Sequence, residues 1–378
     1  MAAVNRKISA ASARSHTRKA RQSSGFRLPS GLFRKIGLVL FVGFVAWAYQ
    51  ASQPPPHLIY GSTNGPPVTA TRIKLSDGRY LAYKESGVPR EKAKYKFVMV
   101  HGFDGSRNIQ LPASPELVQE LGVYFVAYDR AGYGQSDPNP NRFLKSEAND
   151  IQELADQLEL GSQFYVLGTS MGSHSVWACL KYIPQRIAGA ALVVPVINYW
   201  WPSLPSNLSN EAYYQQLVRD QWMGRIAHHA PRLLYLWLTQ KWFPSSSVME
   251  KNPIIFSEKD KELLSKFIEL KRKFPEEKPS QNDFESLHRD VMVGFGKWEF
   301  DPLEIKENPL SKGTVHIWQG EEDRLVPYKL QRYIAEKLPW IRYHEIAEAG
   351  HLLLFTQGMS DAMLKALLLA EELSNLSS

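Results

Sequence analysis

Gly168-Thr169-Ser170-Met171-Gly172 separates an apolar run, Phe164-Tyr165-Val166-Leu167, from a helix-forming one over residues 173–183. Small residues on both sides of a serine at a strand-to-helix junction predict a turn sharp enough to expose the serine Oγ. The helix that follows turns its free N–H groups and partial positive charge toward any negative charge developing there. An ordinary tight turn would use the same residue types, and the flanking strand and helix favour a nucleophile.

The surrounding pattern fits such a junction. Apolar strand-like runs at 70–76, 79–86, 96–101, 123–129, 163–169, 188–195, 313–319 and 340–346 alternate with amphipathic stretches. That alternation predicts an α/β fold with a mostly parallel central sheet covered by helices on both faces. Asp77-Gly78 marks an antiparallel hairpin between the first two runs. Ile151, Leu154, Ala155 and Leu158 form one apolar helical stripe with acids on the other face, and Met363, Ala366, Leu367 and Ala370 form another within a last helix at 360–373.

Between residue 197 and about 305 the strand pattern stops, and Trp200, Trp201, Trp222, Trp237, Trp242 and Trp298 punctuate helical text. So long a stretch inside one sheet is no simple loop, and it predicts a helical cap over the carboxyl ends of the strands. Its aromatics serve either as the cap's own core or as a membrane-facing lid, the former being favoured. The expected divisions are a basic arm (1–35), a membrane anchor (36–51), a linker (52–68), the first part of the core (69–197), the cap (198–305) and the second part of the core (306–378).

A serine at neutral pH needs a base, and the base needs a carboxylate to fix its tautomer. His351, in Glu348-Ala349-Gly350-His351, falls in a loop between the last strand and the last helix, at the sheet edge expected for Ser170. The acid should follow another strand. Asp323, three residues before Val326-Pro327, is preferred to Glu321 and Glu322, which are expected to face solvent. The chain order Ser170, Asp323, His351 is that of an α/β sheet rather than of the two familiar serine protease arrangements.

Oxyanion donors are expected from the backbone N–H groups of Phe103 and Met171. Gly102 permits close approach of the first loop, His101 braces it, and Gly168 and Gly172 permit the turn around the serine. The Asp129–Asp137 string, DRAGYGQSD, reads as a structural turn that shapes the site rather than as a source of catalytic acid.

The net charge of +7 is concentrated at the N-terminus: nine of the 45 Lys/Arg and none of the 38 Asp/Glu precede residue 51. The remainder is nearly neutral, so composition gives no basic groove for nucleic acid. The single cysteine, Cys179, excludes an intramolecular disulfide and any multi-cysteine metal site, and is expected in the core. No metal and no organic cofactor is implied.

Residues 36–49 are uncharged and apolar, preceded by Arg34 and Lys35. A single membrane anchor is expected, with a cleaved signal peptide and an organellar transit peptide as rivals. An anchor would keep the basic arm cytosolic, put the body in a lumen or outside, and expose the sequons at Asn207 and Asn375. Single-pass residence in the endomembrane system is the first expectation, with chloroplast or mitochondrion as alternatives.

HGFDG, DRAGYGQSD, GTSMG, GEEDRLVP and EAGH, in this order, resemble the lidded α/β-hydrolase superfamily. The apolar segment and the strings NYWWPSLPSNLS, QKWFPSSSV and LHRDVMVGFGKWEFDP are more narrowly similar to plant membrane-anchored α/β-hydrolase-like proteins. The resemblance spans roughly residues 35–370 and implies hydrolase chemistry without an agreed substrate, and the leading expectation is hydrolysis of a small-molecule or lipid ester or thioester through an acyl-Ser170 intermediate. Carbon–carbon cleavage and acyl transfer can use the same groups. Epoxide hydrolase and dehalogenase chemistry is disfavoured, because those relatives place an aspartate where this chain has Ser170. A receptor-like or scaffolding role with little turnover is the reading from a different class. The chain departs from many relatives at Ser173-His174, where a second glycine is common, and altered packing near the oxyanion donors is expected there.

Overall fold

The computed structural model describes residues 30–51, 53–273 and 283–369. The chain divides into two units after Ala51. The first contributes helix α1 (Ser30–Ala51), in which Gly31–Ala51 is apolar and long enough to cross a membrane. It begins before residue 36, because Arg34 and Lys35 are good helix formers and do not interrupt the turn. At about 1.5 Å per residue its 22 residues reach roughly the 30 Å of a hydrocarbon core.

The second unit is built on eight strands: β1 (Arg72–Lys74), β2 (Tyr80–Gly87), β3 (Tyr95–Val100), β4 (Val123–Tyr128), β5 (Phe164–Thr169), β6 (Ile187–Val193), β7 (Val315–Gly320) and β8 (Ile341–Ile346). Their order in the sheet is β1-β2-β4-β3-β5-β6-β7-β8, antiparallel at β1/β2 and β2/β4 and parallel from β4 to β8. The hairpin turn expected at Asp77-Gly78 joins β1 to β2, with Gly78 at φ 92°.

The inner strands read as unbroken apolar runs because both faces of the sheet are covered. Val98, Val126 and Val166 pack with Ile151, Leu154 and Trp177 on one face, while Phe97, Phe125 and Leu167 pack with Met363 and Leu367 on the other. Helix α2 (Pro115–Leu121) packs on the second face, and α3 (Leu144–Gln157) and α4 (Ser173–Tyr182) pack on the first. Cys179 is buried on α4, where burial pushes its thiol pKa up.

Between β6 and β7 lie α5 (Ser206–Gln215), α6 (Val218–His229), α7 (Leu234–Thr239), α8 (Glu258–Lys273) and α9 (Arg289–Phe295), with no strand among the described residues. Several of the aromatics pack against other rings, Trp201 edge-on to Trp177 and tilted against Trp298, and Trp200 stacked on His228. Trp242 is 85% exposed. Two further helices, α10 (Tyr328–Lys337) and α11 (Met359–Leu369), complete the body.

Three local expectations are revised. The first strand keeps only Arg72–Lys74. The strand expected to reach 195 stops at Val193, because Val194 takes a left-handed φ of 44° and turns the chain out of the sheet. On α3 the acids do not all face solvent: Glu147 and Asp150 are buried and paired with Arg142 and Arg79. The basic arm through residue 29, Asn375 and the last helix beyond 369 lie outside the described residues.

Candidate active site

Ser170 follows β5 directly and has φ 53°, in the left-handed region that a residue with a Cβ enters only under constraint. The constraint comes from close backbone packing. A Cβ on Gly168 would approach Gly172 O and Val176 Cγ2 to 2.6 Å, and one on Gly172 would overlap Val100 O and lie 2.6 Å from His101 O. Both glycines are required by contact with β3 and α4, and the turn they allow leaves the serine accessible.

The structure brings Ser170, His351 and Asp323 together. His351 Nε2 lies 3.0 Å from Ser170 Oγ, and its Nδ1 lies 2.8 Å from Asp323 Oδ2. A carboxylate beside Nδ1 makes that nitrogen the donor, so Nε2 of the neutral ring accepts the serine O–H. Burial lowers the proton affinity of His351, but the charge and hydrogen bond of Asp323, with a contribution from Asp260, outweigh it and leave the pKa raised.

Asp323 is fixed in turn. Its Oδ1 accepts the N–H groups of Leu325 and Val326 at 2.9 Å, and Gln319 Nε2 donates to Oδ2 at 3.2 Å. Glu321 and Glu322 are exposed. The residues Leu325-Val326 therefore explain why the carboxylate stands where it does: their amides form the turn that holds it.

His101 is buried and makes two bonds that define its tautomer. Nε2 accepts the Arg130 N–H at 3.1 Å, so Nδ1 carries the proton and donates to Gly102 O at 2.7 Å. Burial holds its pKa well below the ordinary imidazole value, and Arg130 adds to that. Arg130 Nη2 also donates to Gly102 O, at 3.2 Å. In a planar trans peptide the Phe103 N–H points opposite to the Gly102 C=O, so these two donors turn it away from the buried arginine. Gly102 lets this loop approach the serine: a Cβ there would lie 3.0 Å from Thr169 O and 3.1 Å from Ser170 Cβ.

Phe103, Met171, Ser170 and His351 line one cavity of about 460 Å³, whose remaining wall is largely apolar and includes Val196, Leu264, Phe267 and Val291. Asp129 does not line it. Its carboxylate accepts the Arg107 and Gln135 N–H groups and pairs with the Arg107 guanidinium at 2.6 Å, as a turn-forming residue should.

Some residues escaped sequence reasoning. Asp290, before the return to the sheet, accepts from Arg130, Arg142 and Tyr133 in a buried network. Asp260 accepts the backbone N–H groups of His351 and Leu352. Ser257-Glu258-Lys259-Asp260 has the S-x-x-D form of a helix start, which was its only legible signal. His174 is buried, with Nε2 3.0 Å from Val196 O and its ring edge-on to Trp298, so the departure from glycine ties the elbow helix to the inserted segment.

Residues 95–357 match the family model for the alpha/beta hydrolase fold. An uncharacterized 31.7 kDa protein of Escherichia coli is 30% identical over 148 residues, covering 34% of this chain and 49% of that protein. A 2-hydroxy-6-oxononadienedioate/2-hydroxy-6-oxononatrienedioate hydrolase of Paraburkholderia xenovorans is 30% identical over 129 residues, covering 32% of this chain and 42% of the enzyme. The chain thus spans less than half the length of these curated relatives. The solved structure of a thermophilic esterase from Thermogutta terrifontis aligns with a TM-score of 0.53 at 19% identity, over 79% of this chain and 97% of that one, which is a likeness of fold. With the family match running from β3 through the His351 loop, over more than half of its length, the chain belongs to the alpha/beta hydrolase fold family.

Proposed function

We propose that the chain is a serine hydrolase that cleaves a carboxylic ester or thioester through an acyl-Ser170 intermediate. The observation that carries this reading is the unbroken hydrogen-bonded run from Asp323 through His351 to Ser170, opening on an apolar cavity.

In the first half-reaction His351 Nε2 takes the Ser170 proton as Oγ bonds to the carbonyl carbon, and the carbonyl π electrons move onto oxygen. The N–H groups of Phe103 and Met171 are the donors for that oxyanion, each worth about 3 kcal/mol at the transition state. Collapse breaks the bond to the alcohol or thiol, which leaves with the proton from His351. In the second half-reaction His351 takes a proton from water as its oxygen attacks the acyl carbon, and the acid departs as Ser170 recovers its proton. Asp323 keeps the imidazole in the required tautomer and stabilises the imidazolium without accepting its proton.

A small-molecule or lipid ester with an apolar acyl group suits the lining of the cavity. We assign residues 198–305 as the cap that supplies much of that lining, and residues 36–51, within α1, as a single-pass membrane anchor. The test is turnover. The full-length chain should hydrolyse nitrophenyl esters over many cycles, with a preference among acyl lengths, and Ser170→Ala should not. A folded wild-type chain that binds such esters without releasing product repeatedly would contradict this reading in favour of a receptor-like one.

A further inference from the structure

The segment inserted between β6 and β7 reaches the base of the site directly through Asp260. This carboxylate is fully buried and accepts three backbone amides. Oδ2 takes the N–H of His351 at 3.0 Å and of Ser257 at 3.1 Å, and Oδ1 takes the N–H of Leu352 at 2.7 Å. Asp260 N returns a bond to Ser257 Oγ at 3.0 Å, so the carboxylate is locked at the start of α8 by a reciprocal cap.

The fit on the other side is equally close. A Cβ on Gly350 would overlap the Asp260 carboxylate, so glycine at this position admits the carboxylate to the histidine loop. Leu264, Phe267 and Ile268, four, seven and eight residues further along α8, line the cavity. Phe267 also meets Phe355, just beyond the histidine loop, with ring centroids 5.3 Å apart. One helix therefore both walls the cavity and holds the backbone of the base.

We propose that Asp260 is a positioning residue for His351: it fixes the His351-Leu352 backbone from the inserted segment, so that seating of α8 against the site completes the catalytic group. This rests on the assignment of Ser170, His351 and Asp323 as that group. A carboxylate is needed because both oxygens face donors. The amide nitrogen of an asparagine would oppose at least one N–H, leaving a buried donor unpaired. The loop then relaxes, and a shift of His351 of about 1 Å is enough to cost on the order of 100-fold in rate.

The experiment compares full-length wild type with Asp260→Asn and Gly350→Ala, following nitrophenyl ester hydrolysis, rate of inactivation by a fluorophosphonate, and thermal unfolding. Both folded variants should lose about 10- to 100-fold in kcat and in inactivation rate, with KM changed little. The acid limb of the pH profile gives a second readout. His351 faces Asp323 from the loop after β7, Ser170 from the elbow and Asp260 from α8, with the Lys259–Glu348 pair nearby. Loss of the Asp260 charge in the asparagine variant should move that limb to lower pH, a change that a purely structural defect would not produce. Wild-type kcat and an unmoved acid limb in a folded Asp260→Asn would overturn the proposal. Failure of both variants to fold would also overturn it, assigning the carboxylate to attachment of the helix instead. Wild type that neither turns over ester nor reacts with fluorophosphonate would instead remove the reading beneath it.

Discussion

Asp323 Oδ2 lies 2.8 Å from His351 Nδ1, while Asp323 Oδ1 is already committed to the amides of Leu325 and Val326. The two oxygens are not interchangeable. In Asp323→Asn the amide oxygen must face Leu325 and Val326, which turns the amide nitrogen toward His351. Nδ1 then becomes an acceptor, the proton moves to Nε2, and the serine loses its base. Ester hydrolysis should fall by about three to four orders of magnitude with the fold retained. Near wild-type kcat in that variant would contradict the role given to Asp323.

The same pair sets a pH dependence. The His351 pKa is raised in the fold above its ordinary 6.5, burial being outweighed by Asp323. The base proposed here is active only when neutral, so kcat/KM should rise with pH through a midpoint above 6.5. Stability runs the other way. A raised folded pKa contributes stabilisation that is full below the unfolded value and is lost as pH rises through the folded one. Titration of His351 by NMR, beside a pH–rate profile, checks both, and a midpoint below 6.5 would contradict the account.

Much of this was legible from the residues alone. The eight strands and the elbow follow from short-range pattern, because a buried parallel strand is a continuous apolar run and the glycines around Ser170 mark backbone contacts that a side chain would block. The spatial meeting of Ser170, Asp323 and His351 follows from strand order, since all three sit at the carboxyl ends of parallel strands or in the loops after them. The partners of Asp260 and Asp290 did not emerge. Apart from Ser257, their partners lie 91 to 160 residues away in sequence, and a lone aspartate in helical text looks like a solvated face or a cap. Val194 shows the same limit, since a valine gives no local sign that the chain will turn left-handed.

Asp290 carries a prediction about stability. Burial would raise its pKa, but Arg130 and Arg142 hold it well below the usual carboxylate range. Both arginines are themselves buried, and while Arg142 keeps Glu147, Asp290→Ala leaves Arg130 without its carboxylate partner and should cost about 3–5 kcal/mol in denaturant unfolding. The sign with pH follows from the lowered value: the contribution is present above the unfolded carboxylate pKa and is lost as pH falls through the folded one. An unfolding midpoint unchanged in Asp290→Ala would show that the network relaxes without loss.

Helix α1 is expected to hold the chain in a bilayer. The full-length protein should remain with membranes through an alkaline carbonate wash, and removal of residues 1–51 should release the second unit in folded form. Recovery of the full-length chain in the wash supernatant would contradict an anchor spanning Gly31–Ala51.

Activation of Ser170 as a nucleophile is read most directly by labelling the full-length chain with a fluorophosphonate beside Ser170→Ala and His351→Ala. Wild type should take up one covalent adduct on Ser170, the serine variant none, and the histidine variant should react at a rate reduced by orders of magnitude. A folded wild-type chain that stays unlabelled, or one labelled equally when His351 is removed, would contradict this activation.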